Sequence, residues 1–250
     1  MTIQQIKQQL QDIRYEEWIQ MKSTLSQDPR VGVQTLIRQK ELQFERERML
    51  RSDFERRLTY ERELTRAGYE RIVGVDEVGR GPLAGPVVAA AVLLPEGFYV
   101  AGLNDSKKMT KTARDAAYNQ IMEVAEVGVG TVESGTIDDI NIYEATKLAM
   151  MEAISQVGDA DALLIDAMKL DLDIPQQSLI KGDSLSVSIA AASVVAKVVR
   201  DRMMEEYDLT YPGYGFDKNV GYGTEAHIEG LRRLGVTPIH RRTFAPIKHM

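Results

Sequence analysis

Four acidic residues stand where acids are costly to place. Asp76 and Glu77 follow the apolar run Ile72-Val-Gly-Val75, and Asp166 ends Ala162-Leu-Leu-Ile165. Asp183 closes a Lys-Gly-Asp turn after Leu179-Ile180, just before an Ala-rich stretch. A buried carboxylate without a partner is strongly penalised or forced to take up a proton. Several of them at the ends of neighbouring buried strands add mutual repulsion, and a divalent cation removes both penalties. With no cysteine and no clustered histidines in the chain, an all-oxygen ligand set favours Mg²⁺ or Mn²⁺ over zinc. Two such ions about 4 Å apart activate a water and stabilise the leaving oxygen of a phosphodiester. The alternative is that Asp76 and Asp183 cap turns or helices while Glu77 pairs with Arg80. Taken one residue at a time that alternative is the better one; it is the set that points to metal.

The segment Asp76-Glu-Val-Gly-Arg-Gly-Pro-Leu-Ala-Gly-Pro86 adds a second feature. Gly79 and Gly81 flank Arg80, so the backbone meets a ligand with no Cβ in the way. Exposed N–H groups in such a loop bond phosphate or sugar oxygens. A nucleotide cradle of the P-loop or dinucleotide-binding type fails on detail: Gly-Lys-Ser/Thr and Gly-x-Gly-x-x-Gly are both missing, and no helix-forming run follows.

The pattern around these residues predicts an α/β layer fold. Arg71–Val75 and Val87–Leu94 read as buried strands joined by the Gly- and Pro-rich link 79–86. Helices are expected over about 112–126, 141–157, 186–207 and 224–234, with strands at 128–132 and 162–165. Residues 1–68 differ: Ile3, Ile6, Leu10 and Ile13 recur at helical spacing, and Val33 to Arg66 alternates both signs of charge. We therefore expect a helical N-terminal appendage over 1–68 and a catalytic domain over 69–250. The appendage is either a solvated packing element or a source of nonspecific affinity for a nucleic-acid backbone.

Bulk properties narrow the class. The 250 residues, 44% hydrophobic and 27% charged, suit a soluble globular chain. Absent cysteine rules out disulfides, a thiolate nucleophile and Cys-ligated zinc, and with the lack of any apparent leader or membrane-spanning run it suggests a cytoplasmic location. The net charge of −6 argues at first against a nucleic-acid partner. Yet acids dominate from Asp159 to Asp183 and bases from Lys218 onward, and an acidic centre with a basic rim suits metal-assisted phosphodiester chemistry.

Read together, these residues resemble ribonuclease HII, the bacterial type 2 ribonuclease H. The resemblance is carried by Gly74–Pro86, Leu103-Asn-Asp-Ser-Lys-Lys108, Leu164-Ile-Asp166, Lys181-Gly-Asp183 and Ser188-Ile-Ala-Ala-Ala-Ser193. Ala196-Lys197, Arg200-Asp201, Gly221-Tyr-Gly-Thr224 and Thr237-Pro-Ile-His240 follow in family order. It implies a ribonuclease-H-like mixed central sheet flanked by helices, with a helical C-terminal region. It also implies endonucleolytic cleavage of the RNA strand in RNA–DNA hybrids, and incision at ribonucleotides embedded in duplex DNA, giving 5′-phosphate and 3′-hydroxyl ends. The metal ligands and catalytic residues would be Asp76, Glu77, Asp166 and Asp183, with Mn²⁺ or Mg²⁺. Gly79, Arg80 and Gly81 would read the ribose 2′-hydroxyl, Tyr222 would pack on the following deoxyribose, and Lys107 would contact phosphate. For Tyr222 the alternative is a core tyrosine, and for Lys107 a solvated turn lysine. No small-molecule cofactor or membrane is expected, and a monomer is.

The related type 3 enzymes carry a strand-rich N-terminal domain and Lys in the loop; the helical appendage and Arg80 favour type 2. Ala167 departs from the Gly that many relatives place after the strand Asp. Two rivals remain in view. A ribonuclease-H-like nuclease acting on DNA alone has no use for a 2′-hydroxyl sensor, and a non-catalytic hybrid binder gains nothing from four phosphate-repelling acids.

Overall fold

A computed structural model describes residues 1–250, which divide into two compact units, Met1–Arg56 and Arg57–Met250. The division falls within a helix, upstream of the change in sequence pattern at Gly68.

The first unit is helical. Helices α1 (Ile3–Gln9), α2 (Tyr15–Leu25) and most of α3 (Val31–Arg57) enclose a small core of Ile6, Leu10, Trp18, Leu25, Val33 and Ile37. Thr2 starts α1 with a reciprocal cap: its hydroxyl accepts from Gln5 N–H and the Gln5 side chain accepts from Thr2 N–H. Where the pattern predicts one helical stretch from Val33 to Arg66, the chain breaks at Leu58 and restarts as α4 (Thr59–Arg66).

In the second unit α4 is followed by β1 (Ile72–Val78), β2 (Val87–Leu93), α5 (Lys111–Val124), β3 (Glu126–Val132), α6 (Ser134–Ile140), α7 (Ile142–Val157), β4 (Ala162–Asp166) and β5 (Gln176–Leu179). Short α8 (Gly182–Leu185), long α9 (Val187–Thr210), α10 (Phe216–Asn219) and α11 (Glu225–Leu234) complete it. The sheet order is β3-β2-β1-β4-β5; β1 runs antiparallel to β2 and parallel to β4. This mixed sheet matches the expected fold class.

Strand alternation decides what each face carries. Val73 and Val75 join Ala145, Ala149, Met150, Ala153 and Ile154 of α7 in the main core. Ile72 turns the other way, toward Leu164 and Ile189 at the start of α9. Gly74 lies between, so close to α9 that a Cβ there would sit 2.2 Å from the carbonyl carbon of Ser188. The strand residue two further on, on that same face, is Asp76. One clamp at this contact is Glu61 of α4, whose Oε1 accepts from Ser188 N–H (2.9 Å) and from the hydroxyls of Ser186 (2.6 Å) and Ser188 (2.8 Å). A carboxylate at a helix N-terminus satisfies donors the helix leaves open.

The C-terminal segments pack around Tyr214, Phe216, Leu231 and Ile239, with His227 and His240 buried among them. His227 Nδ1 lies 2.9 Å from the Tyr222 carbonyl and must carry the proton, while His240 Nδ1 accepts from Thr237 N–H at 2.9 Å. His240 Nε2–H therefore donates to His227 Nε2, 3.0 Å away, and both rings are neutral. Burial, reinforced by the neighbouring His227, pulls His240 down to about 4. The unfolded chain binds that proton from about pH 6.5 downward and the folded chain only near 4. Stability supplied by the neutral ring is therefore present above pH 6.5 and lost as pH falls, by up to about 3 kcal/mol. Denaturant midpoints at pH 7 and 4.5 should converge in His240→Phe relative to the unmodified chain; parallel profiles would contradict a neutral, buried His240.

Candidate metal centre and substrate face

The fold brings three of the four predicted acids to one point. Carboxylate oxygens of Asp76, Glu77 and Asp166 all lie within 4.8 Å of one another. The parallel pairing of β1 with β4 sets Val75 beside Ile165, so the residues that follow come together. Asp166 ends β4, while β1 runs on through Asp76 and Glu77 to Val78, past the expected end at Val75, and both acids stay paired with β2. Asp183 stands outside that trio, in the first turn of α8. It is tied to it through Asp166, whose Oδ1 accepts from Gly182 N–H at 2.7 Å, and it repels the Asp166 carboxylate.

The electrostatics of the group are unfavourable throughout. Asp76 is 4% exposed, and burial, then repulsion by Glu77 and Asp166, holds its carboxyl well above the usual range. Burial likewise raises Glu77, Asp166 and Asp183; at Asp183 the next causes are Asp105 and Asp166. Partial relief comes from cations. Arg80 lies 3.3 Å from Glu77 Oε1, the ion pair considered as an alternative role for Glu77, and it does not reach Glu77 Oε2, which is buried without a partner. The Lys107 charge favours ionisation of Asp166 and Asp183. Three converging carboxylates and an orphaned buried oxygen fit a hard divalent cation, which takes oxygen ligands and supplies the missing positive charge.

Further residues touch this centre that the pattern of acids does not reveal. Ser193 of α9 bonds Asp76 and lies 3.0 Å from the Ser106 hydroxyl, linking α9, β1 and the turn that carries Lys107. Asp105 begins that turn, accepting from Lys107 N–H at 2.9 Å, and shares a hydrogen bond with Asp183. The Asn-Asp-Ser-Lys motif is visible in the sequence, but nothing there says that its Asp reaches Asp183.

Beside the acids lies the loop 79–81. Gly79 has φ +91°, and a Cβ there would meet Arg200 Nε at 2.2 Å, so no other residue fits. A Cβ on Gly81 would lie 3.5 Å from Cε1 of Tyr222. That ring is 43% exposed, so Tyr222 is not a core tyrosine: it stands on the surface against the loop.

The family model for ribonuclease HII matches residues 73–247, and that for the ribonuclease HII N-terminal domain matches residues 2–65. The chain belongs to the ribonuclease HII family. It is 57% identical over 226 residues to ribonuclease HII of Leuconostoc mesenteroides, covering 89% of this chain and 88% of that one. Among solved structures it is similar to ribonuclease H2 of Pyrococcus horikoshii (TM-score 0.59, 24% identity, 72% of this chain and 96% of that one). It is also similar to the RNase HII of Archaeoglobus fulgidus, solved with PCNA (TM-score 0.60, 22% identity, 70% and 95%). A third is Bst-RNase HIII with Mn²⁺ (TM-score 0.52, 23% identity, 71% and 68%). These last three likenesses establish the ribonuclease-H-like fold. Membership of the ribonuclease HII family makes the chain a metal-dependent endonuclease that cuts the RNA strand of RNA–DNA hybrids. No helix is long and apolar enough to cross a membrane.

Proposed function

We propose that the chain cleaves hybrids and also incises at ribonucleotides embedded in duplex DNA, by two-metal-ion hydrolysis giving 5′-phosphate and 3′-hydroxyl ends. Asp76, Glu77, Asp166 and Asp183 are the catalytic ligands, with Mn²⁺ or Mg²⁺ as the ion. The observation that carries the reading is the convergence of the Asp76, Glu77 and Asp166 carboxylates beside a glycine loop faced by an exposed tyrosine.

When bound, the cations polarise the phosphodiester and supply an activated water. The protein contributes placement. Ser193 and Glu77 N–H fix the Asp76 carboxylate from two sides, and Gly182 N–H fixes that of Asp166. Gly79, Arg80 and Gly81 meet the ribose 2′-hydroxyl, the group that separates RNA from DNA at a given position. Tyr222 packs on the neighbouring sugar, which must be a deoxyribose for close contact, and Lys107 holds a phosphate.

The test uses three otherwise identical duplexes with Mn²⁺: all DNA, one embedded ribonucleotide, and a continuous hybrid. Cleavage of the last two on the ribose-containing strand, and none of the first, is expected; cleavage of all three would favour a DNA nuclease. Tyr222→Ala should lower incision at the lone ribonucleotide by about tenfold or more, in the range of a lost apolar packing contact, while general duplex binding weakens less. Equal losses in the two measurements would remove Tyr222 from that role.

A further inference from the structure

Beneath the loop lie two arginines that a stable core would not choose. Arg200 and Arg241 are each 0% exposed, and neither forms an ion pair; every hydrogen bond they make ends on a backbone carbonyl. Arg200 donates to Pro86 (2.9 Å), Val220 (2.8 Å) and Ala84 (3.1 Å). Arg241 donates to Gly79 (2.5 Å), Arg80 (3.0 Å) and twice to Gly85. Burial pulls Arg241 down to about 9 and Arg200 to about 10, with Arg200 lowering Arg241 further, so both remain charged at neutral pH. Burying two like charges side by side costs stability that an apolar pair of similar size would not. Their presence asks for a function.

The peptide geometry supplies one. In a trans peptide the C=O of one residue and the N–H of the next point in opposite directions. Arg241 draws the Gly79 and Arg80 carbonyls inward, so the N–H groups of Arg80 and Gly81 face outward. Neither has an acceptor elsewhere in the chain. The result is two adjacent donors on the surface beside Tyr222, held by a guanidinium whose planar fork reaches several carbonyls at once. Arg200 ties the same loop to the Tyr222 segment through Val220.

We propose that Arg241, supported by Arg200, is a positioning residue for sugar discrimination: it sets the orientation of the two outward donors that recognise the 2′-hydroxyl. This rests on the reading that loop 79–81 meets the ribose. Arg241→Lys keeps the charge but replaces the fork with a single ammonium, so it separates orientation from charge.

The experiment compares equilibrium binding to a duplex with one ribonucleotide and to its all-DNA counterpart, with Ca²⁺ as a non-turnover ion. The unmodified chain should favour the ribose duplex. Arg241→Lys should cut that preference about fivefold or more, the scale of one lost hydrogen bond. All-DNA binding and the Mn²⁺-induced rise in melting temperature should not change, whereas a general loss of packing would move both. A folded Arg241→Lys with full preference overturns the inference alone. An unmodified chain with no preference overturns the reading beneath it. Should the variant not fold, amide exchange in the unmodified chain decides: ribose-dependent protection of Arg80 and Gly81 is expected, and its absence refutes the proposal.

Discussion

Asp76→Asn should abolish cleavage and at the same time stabilise the metal-free protein. The carboxylate is buried against Glu77 and Asp166, so the folded state without metal is penalised for ionising it. Its raised pKa means that stability is greatest below the ordinary carboxylate range and declines as pH rises through the folded value. The amide of the variant keeps an oxygen for Glu77 N–H, whose bond to Asp76 Oδ1 is 2.7 Å, and removes the charge. Without metal, the Asp76→Asn variant should gain about 1–2 kcal/mol at neutral pH. Its melting temperature should rise little on adding Mn²⁺, because the ligand-linked term needs the intact site. Cleavage should fall by about a thousandfold or more, because the lost charge weakens the hold on the ion that supplies the chemistry. A variant with near-normal turnover, or one less stable than the parent without metal, would remove Asp76 from the centre.

Gly74→Ala should be severely damaging. The new Cβ would meet Ser188 C at 2.2 Å, Ser188 O at 2.4 Å and Ile189 N at 2.5 Å. All three are backbone atoms of α9, and no rotamer relieves the clash. Forcing β1 away from α9 also separates Asp76 from Ser193. The expected loss is about 3 kcal/mol or more, or a fall of roughly 10 °C in melting temperature, with the remaining folded protein impaired in cleavage. Gly135→Ala is the control. It lies in α6 with nothing within 4 Å of its Cβ and should stabilise by about 0.5–1 kcal/mol through helix propensity. Similar melting temperatures for the two variants would mean that the β1–α9 contact is looser than described.

Much of this arrangement is written in apolar runs. Ile72–Val75, Val87–Leu93 and Ala162–Ile165 are buried strands whose composition admits little else, and Asn141 caps α7 through Tyr143 and Glu144 N–H as its residue type suggests. The elements that escaped lack such a signature. β5 reads Gln-Gln-Ser-Leu, pairs only with β4 and buries only Leu179, so neither alternation nor hydrophobicity marks it. In α2 the wholly buried residues are Trp18 and Leu25, two turns apart, too sparse for a stripe.

The site divides in the same way. Acids that directly follow apolar runs are legible because their placement is costly, which is how Asp76, Glu77 and Asp166 declare themselves; that β1 continues through the first two is not. The reach of Asp105 to Asp183 depends on a turn whose path no local pattern encodes. Arg200 and Arg241 are least visible of all: arginine in a sequence reads as surface, and only the packed structure shows two of them under a glycine loop with carbonyls for partners.

Whether the acids are gathered to hold a divalent ion is tested most directly by a crystal of the protein soaked with Mn²⁺ and examined by anomalous scattering. A peak among the carboxylates of Asp76, Glu77 and Asp166 is expected, since a hard divalent cation takes oxygen ligands. Saturating Mn²⁺ that leaves those three carboxylates without a peak would contradict it.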